Sequence, residues 1–386
     1  MTIIVAGLNS YKGVNMKKFS ALFLMLSLIL FSGWGCQKKS DVIKIGVAGP
    51  MTGDQSKMGT DFRNGASLAV EEWNAKGGVL GKKIEMMVED DQHDPKQAVS
   101  VANKLVNEGV VGVVGHFNSS CSIPASDIYN RAGIPMISPG STNPQLTEKG
   151  YRGVFRVCGR DDQQGRIGAE FVTTRLMLKK VAVIHDKTTY GQGLADEFKK
   201  ALGDTTQVVY YGGIVQGDKD FKNVLTSIRE KGPELIFFGG IYTEMGLLVR
   251  QARELGIQAP FMSGDGSIDP KFIEIAGAQA AEGTYLTFSP DPNNMPTAKA
   301  FIEKYRTKYG ELGPYSIYAY DAANILLTAI QAAGTTDGNS IMDKLHSMEA
   351  SGATGKIKFD SKGDVISAPY VVWTTREGKF VEYWKP

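Results

Sequence analysis

GHFNSSCSIPASDIYNRAGIPMISPGSTNPQL, residues 115–146, follows the apolar run Val110–Val114 and decides the reading of the fold. The run has the composition of a buried strand, and Asn118, Ser119 and Ser120 stand just before a helical segment that ends at Gly133. The first turn of a helix leaves N–H groups unpaired and carries partial positive charge, so it receives an anion well. A second apolar strand, residues 134–138, then enters Pro139-Gly140-Ser141-Thr142-Asn143-Pro144, another loop of small and hydroxyl residues. Two such loops at the same ends of neighbouring parallel strands face one ligand. Spacing alone leaves a second reading open, in which Ser119, Ser120, Ser141 and Thr142 only cap helices.

Outward from this stretch the same strand–helix alternation continues. On the N-terminal side, residues 42–49 (VIKIGVAG) form a strand, and a helix follows from about Gly59. Phe62, Ala66, Ala69, Val70 and Trp73 recur in it at helical spacing, and Gly77-Gly78 ends it. Residues 83–88 form a second strand, and Asp94-Pro95 opens a helix as N-cap and first-turn proline. On the C-terminal side, a strand at 154–157 precedes a helix over 161–178. Strands at 181–185, 207–214 and 235–238 then alternate with helices at 191–202, 221–231 and 243–255. Residues 296–346 read as mainly helical, and 370–383 as a hairpin turning at Arg376-Glu377-Gly378. Successive βα units imply parallel sheets covered on both faces, and the length suits two α/β lobes better than one large sheet.

Composition sets the class. Of 386 residues, 42% are hydrophobic and 22% charged, ordinary values for a soluble globular chain. Lys17 and Lys18 precede thirteen uncharged residues, Phe19 to Phe31. This run is shorter than the ~18–20 residues that cross a bilayer, so residues 1–35 read as an export signal with Met16 as its natural start. Cleavage after Gly35 would free Cys36 for a lipid anchor. Removing residues 1–35 takes away three lysines and no acid, leaving 40 basic against 41 acidic residues, and a chain so balanced has no nucleic-acid character. Cys121 and Cys158 remain, either as buried thiols or as one disulfide in an oxidising compartment.

No catalytic constellation emerges. His93, His116, His185 and His346 lack partners at metal-ligand spacing. Gly191-Gln192-Gly193 begins like a dinucleotide loop, but Asp196 stands where the third glycine belongs. The acidic run Glu89-Asp90-Asp91 with Asp94 lacks the alternation and central glycine of a calcium loop. The reading is therefore non-enzymatic, with no cofactor and no metal.

Several stretches, in order, resemble the branched-chain amino-acid binding proteins of bacterial ABC importers, which have the type I periplasmic binding protein fold. They are Gly65 with Asn74–Gly78, Asp90-Asp91 with Asp94–Val99, Ala102–Lys104, Gly115-His116 and Pro124–Tyr129. His185–Lys187 with Tyr190-Gly191, and Gly239-Gly240 with Glu244–Gly246, continue the series. The resemblance implies two Rossmann-like lobes joined by three crossovers near Gly159, Ser289 and Ser367, hence residues 42–158 plus 289–366 against 159–288 plus 367–386. It implies an exported, periplasmic protein that binds an apolar amino acid such as leucine, isoleucine or valine and delivers it to an ABC permease. A lipid-modified Cys36 would hold it to a membrane. A sensor read by a receptor or kinase, and a binder of an amide or other small solute, are the alternatives.

Residue by residue, Ser119 and Thr142 match the donors to the ligand carboxylate, with backbone groups of Gly140 and Thr142 and the neighbouring Ser141 alongside. Tyr190 and Asp265 match the tyrosine and acid that meet the ammonium. Met58, Ile241 and Tyr315 take the places of the side-chain wall, and an aromatic is retained only at Tyr315, with Tyr242 beside Ile241. The family's disulfide near the cleft is absent, because His93 and Asn118 occupy its two positions.

Overall fold

The computed structural model describes residues 42–386, so the export signal, Met16 and Cys36 lie outside the described residues. The first sheet contains β1 (Val42–Gly49), β2 (Lys83–Asp90), β3 (Val113–Val114), β4 (Met136–Ser138) and β5 (Val154–Arg156). Its order is β2-β1-β3-β4-β5 and every pairing is parallel. The register of β1 on β2 runs from Val42 opposite Lys83 to Gly49 opposite Asp90, so both strands end together at one edge.

The second sheet is built from β6 (Lys180–His185), β7 (Gln207–Gly213), β8 (Leu235–Gly239), β9 (Phe261–Ser263) and β10 (Tyr285–Phe288). After a small hairpin of β11 (Glu349–Gly352) and β12 (Gly355–Lys358), the terminal hairpin β13 (Val371–Arg376) and β14 (Lys379–Trp384) joins this sheet. The order is β14-β13-β10-β9-β8-β6-β7, parallel from β7 to β10 and antiparallel at β13 and β14. Thus the last strands of the chain return to the second sheet, while the helix Ser316–Ala333 packs against the first.

The expected elements recur with shifted ends. β3 keeps two of the five residues read as strand, although the Val111 N–H still donates to the Lys44 carbonyl at 2.9 Å. The helix expected to reach residue 178 is α-helical over Asp161–Glu170 and continues as a π turn over Phe171–Arg175. The Thr173 and Thr174 hydroxyls donate back to the Ala169 and Glu170 carbonyls at 2.9 and 2.7 Å, which competes with the backbone ladder and widens it there. The wider turn leaves Phe171 and Val172 wholly buried. The parallel-sheet reading holds except at the terminal hairpin, whose short Arg376-Glu377-Gly378 turn can join only antiparallel strands.

Packing follows the apolar faces. The helix Ser56–Ala75 buries Phe62, Ala66, Ala69 and Val70 and lies against Ser316–Ala333. They approach closely at Gly65, where a Cβ would sit 2.2 Å from the Ser316 carbonyl oxygen, so only glycine permits this crossing. In the second sheet, Phe198 stacks on Phe237 with ring centres 3.9 Å apart. Each side chain of this kind contributes roughly 1.5–3 kcal/mol on burial. The strand ends of both sheets are thereby fixed, and the loops that leave them converge.

Candidate functional site

Most residues of the site lie just beyond the carboxyl end of a parallel strand or in the crossing segments between the sheets, and Tyr315 and Tyr318 come from the start of the helix Ser316–Ala333. The loop after β3 leads into the helix Ser119–Ala132, whose N-cap Asn118 is extended and makes no side-chain cap. Instead, Asn118 Nδ2 donates to Gln55 Oε1 at 2.9 Å, and its Oδ1 is buried without a partner. Ser119 is therefore the first helical residue rather than a cap, and its hydroxyl accepts only the Asn143 N–H at 3.3 Å. The Thr142 hydroxyl, in the loop after β4, is buried and unpartnered. These two hydroxyls face into the cleft region with hydrogen-bonding capacity to spare.

The second sheet supplies the acid. Asp265, after β9, is 3% exposed. Its Oδ1 accepts from the Tyr190 hydroxyl at 2.9 Å and its Oδ2 from the Tyr315 hydroxyl at 2.7 Å. Tyr190 in turn accepts the Gly266 N–H at 2.9 Å. Burial pushes the Asp265 carboxyl up, and the Tyr315, Gln164 and Tyr190 side chains pull it back. A buried carboxylate whose partners are neutral hydroxyls retains appetite for a cation.

Two cavities of about 20 Å³ flank Asp265. The first is lined by Phe117, Asn118, Ser119, Gly140, Tyr190, Ile241, Gly266 and Tyr315, besides Asp265. The second lies between the crossing segments and is lined by Thr142, Cys158, Gly159, Phe288, Ser289 and Tyr318, with Ala368–Tyr370 closing it. Each has the volume of about one water. Gly140 is required here by sterics, since a Cβ would meet the Phe117 ring at 2.6 Å.

The structure thus gathers seven of the nine ligand-binding residues read from the sequence: Ser119, Gly140, Thr142, Tyr190, Ile241, Asp265 and Tyr315. Ser141 and Met58 are placed differently. The Ser141 hydroxyl turns inward, pairing with Ser122 Oγ at 2.5 Å and donating to the Phe117 carbonyl at 2.8 Å. Its place in a run of hydroxyl residues gave no sign of this, because the inward turn is set by the neighbouring loop. Met58 is 1% exposed within the core beside Phe62 and does not line either cavity.

A second acid escaped the sequence reading. Asp161, the first residue of its helix after the Gly159 crossing, is wholly buried with neither carboxyl oxygen hydrogen-bonded. Burial raises its pKa well above the ordinary range and the nearby Asp265 adds to this; the Thr142 hydroxyl opposes it without closing a hydrogen bond. An acid in a first helical turn is so common that its spacing carries no functional signal. Phe117, Phe288, Tyr318 and Tyr370 were likewise unmarked, since apolar periodicity does not distinguish a cleft wall from a core.

The two lobes touch through specific bonds. Besides Tyr315 with Asp265, the Asn143 side chain donates to the Thr189 carbonyl at 2.7 Å, and Gln216 meets His93 at 3.1 Å. Tyr242 donates to the Asp54 carbonyl. His93 and Asn118, at the positions of the family's missing disulfide, are both bonded to Gln55, which joins them without a covalent link. The other histidines have structural partners: His116 lies between Asp91 and Tyr129, His185 Nδ1 accepts the Lys187 N–H at 3.2 Å, and His346 bonds the Arg152 carbonyl. Cys121 and Cys158 are free and buried.

A cleft between two α/β lobes, with hydroxyl and helix N-terminal donors on one side and a buried acid on the other, is the arrangement of a small-molecule binding protein. Comparison with known proteins places it more closely. A family model described as periplasmic binding protein matches residues 42–379. The chain belongs to that family, in its type I, branched-chain amino-acid branch.

It is 44% identical over 360 residues to an amino acid binding protein of Pseudomonas aeruginosa, covering 92% of this chain and 96% of that one. It is 41% identical over 373 residues to Leu/Ile/Val-binding protein homolog 2 of Brucella abortus, covering 95% and 99%. Among solved structures, the leucine binding protein LivK of Thermotoga maritima superposes with a TM-score of 0.84 at 33% identity, covering 89% of this chain and 99% of that one. LivJ of Streptococcus pneumoniae, solved in complex with isoleucine, gives 0.81 at 33% identity, covering 89% and 100%.

Proposed function

We propose that this chain is an extracytoplasmic solute-binding protein that captures an apolar, branched-chain type amino acid between its lobes and delivers it to an ABC importer. The observation that carries the reading is Asp265, a buried carboxylate held by two tyrosine hydroxyls opposite the unpartnered Thr142 hydroxyl and an uncapped helix N-terminus. A zwitterion needs donors at one end and a carboxylate at the other, both shielded from water and therefore both paired. In this reading Ser119, Thr142 and the backbone at Gly140 hold the ligand carboxylate. Tyr190 and Asp265 receive the ammonium, with Asp161 adding a second acid close by. Ile241, Tyr315 and Phe117 form the apolar wall.

The lobes divide at residues 159, 289 and 367, which gives 42–158 plus 289–366 and 159–288 plus 367–386. Cavities of about 20 Å³ are too small for an amino acid, so entry requires the lobes to part about these crossings. Membrane attachment through Cys36 and docking on a permease complete the proposal, and the relatives named for leucine, isoleucine and valine support it. Calorimetric titration with leucine and with its α-keto acid tests it. Tight binding of leucine and none of the keto acid is the expected result. Equal binding of the keto acid would remove Asp265 from the ligand.

A further inference from the structure

Arg156, at the end of β5, is wholly buried and heads the fully buried side chains in size. A guanidinium withdrawn from water must place its donors, and here each nitrogen is engaged. Nε donates to Asp364 Oδ1 at 2.6 Å and Nη2 to the Thr147 hydroxyl at 2.7 Å. Nη1 donates to two carbonyls, Ser141 at 2.8 Å and Asn143 at 3.0 Å. Those carbonyls bracket Thr142. In a trans peptide the C=O and the following N–H point in opposite directions. With the Ser141 oxygen drawn to Arg156, the Thr142 N–H is turned the other way, toward the side that Thr142 presents to the cleft. The Thr142 carbonyl is fixed as well, by the Asp161 N–H at 2.9 Å.

We propose that Arg156 is a positioning residue for the ligand carboxylate: it clamps the Ser141 and Asn143 carbonyls so that the Thr142 N–H and hydroxyl face the anion. This rests on the reading of the site given above. The positive charge at the carbonyl end also polarises the Ser141–Thr142 peptide, which makes its N–H a stronger donor to an anion. Asp364 balances the charge and is shared with Arg160 Nη1 at 2.6 Å. Arg160 follows the Gly159 crossing and Asp364 precedes the Ser367 crossing, so the clamp is anchored in two of the segments about which the lobes part.

The test compares L-leucine with L-leucinamide, which differ only at the carboxylate, by calorimetric and displacement titration of the wild-type chain, Arg156→Gln and Arg156→Lys. The expected result is that Arg156→Gln cuts the preference for leucine over leucinamide at least tenfold, by weakening leucine and sparing the amide. Arg156→Lys, which keeps the charge without the fork, recovers part of the preference. Equal weakening of both ligands, or an unchanged preference, overturns the assignment. Should Arg156→Gln fail to fold because Asp364 loses its main partner, the paired change Arg156→Met with Asp364→Asn removes the clamp without stranding the acid, and the same ratio decides. A wild-type chain that binds no amino acid would overturn the underlying reading of the site instead.

Discussion

The Tyr315 hydroxyl, carried by the first lobe, donates to Asp265 Oδ2 of the second at 2.7 Å. Tyr190 occupies the other oxygen, but it belongs to the same lobe as Asp265 and stays with it when the lobes part. On the proposed function, Tyr315 makes the bond that an incoming ammonium would replace. Tyr315→Phe removes this competitor, and a hydrogen bond to a charged group is worth roughly 1.5–3 kcal/mol. Amino-acid affinity should stay equal or tighten by up to about a hundredfold. Small-angle scattering should show a more extended empty protein. Affinity that falls tenfold would place the hydroxyl among the ligand's partners instead.

Gly140 offers a steric test. Alanine is compatible with its backbone, but the new Cβ would meet the Phe117 ring at 2.6 and 2.9 Å. Gly140→Ala should push Phe117 into the cavity that it lines with Ser119 and Tyr190, weakening binding more than tenfold. Phe117→Leu in the same chain should restore part of the loss, as measured by titration. Wild-type affinity in Gly140→Ala alone would mean that the ligand sits away from this loop.

Ser119→Ala combined with Thr142→Ala separates ligand donors from helix caps. The Thr142 hydroxyl has no partner and Ser119 accepts a single long bond, so the empty protein has little to lose. In chemical denaturation its stability should change by less than about 0.5 kcal/mol, whereas a lost N-cap costs about 1 kcal/mol at each position. Binding should weaken by at least ~1.5 kcal/mol. A chain that melts much earlier while binding normally would make these residues structural.

The strand–helix alternation is written in apolar runs and glycine stops, so residues 42–49 and 83–88 fell within two positions of the observed strands. Chemistry carried by residue type, such as the hydroxyls in loops after strands, was also visible. Asp265 alone would pass for a turn aspartate in Ser263-Gly264-Asp265-Gly266, and only the resemblance singled it out. What the sequence hid depends on long-range placement. Ser141 and Thr142 are adjacent and chemically alike, yet one hydroxyl is spent on Ser122 and the other is free. Arg156 lies in a strand where one charged residue among apolar neighbours says nothing of the two carbonyls that it clamps.

Asp186 gives a pH-dependent prediction. Burial lifts its carboxyl from 3.8 to about 6, opposed by hydrogen bonds from Thr188 and reinforced by Glu244. A carboxyl whose folded-state pKa is raised contributes stability that is fully present below its unfolded value and is lost as pH rises through the folded one. The window is therefore about pH 4 to 6. Asp186→Asn keeps the oxygen that accepts from the Thr188 N–H at 2.9 Å but cannot ionise. Relative to wild type, the variant should gain roughly 2–3 kcal/mol between pH 4 and pH 7 in chemical denaturation. A constant difference across that range would mean that Asp186 is not forced to ionise in the fold.

The central claim is that the cleft recognises both ends of an apolar amino acid. The most direct measurement is a thermal-shift screen of the chain from Gln37 onward, unfolded and refolded to strip carried-over ligand, against the twenty amino acids, small amides and nucleotides. A ligand at a hundred times its dissociation constant adds about 2.7 kcal/mol to the native state. The account predicts large shifts confined to apolar amino acids such as leucine, isoleucine and valine, and their loss in Asp265→Asn. Shifts produced only by amides, nucleotides or other compounds without an α-ammonium group would contradict it.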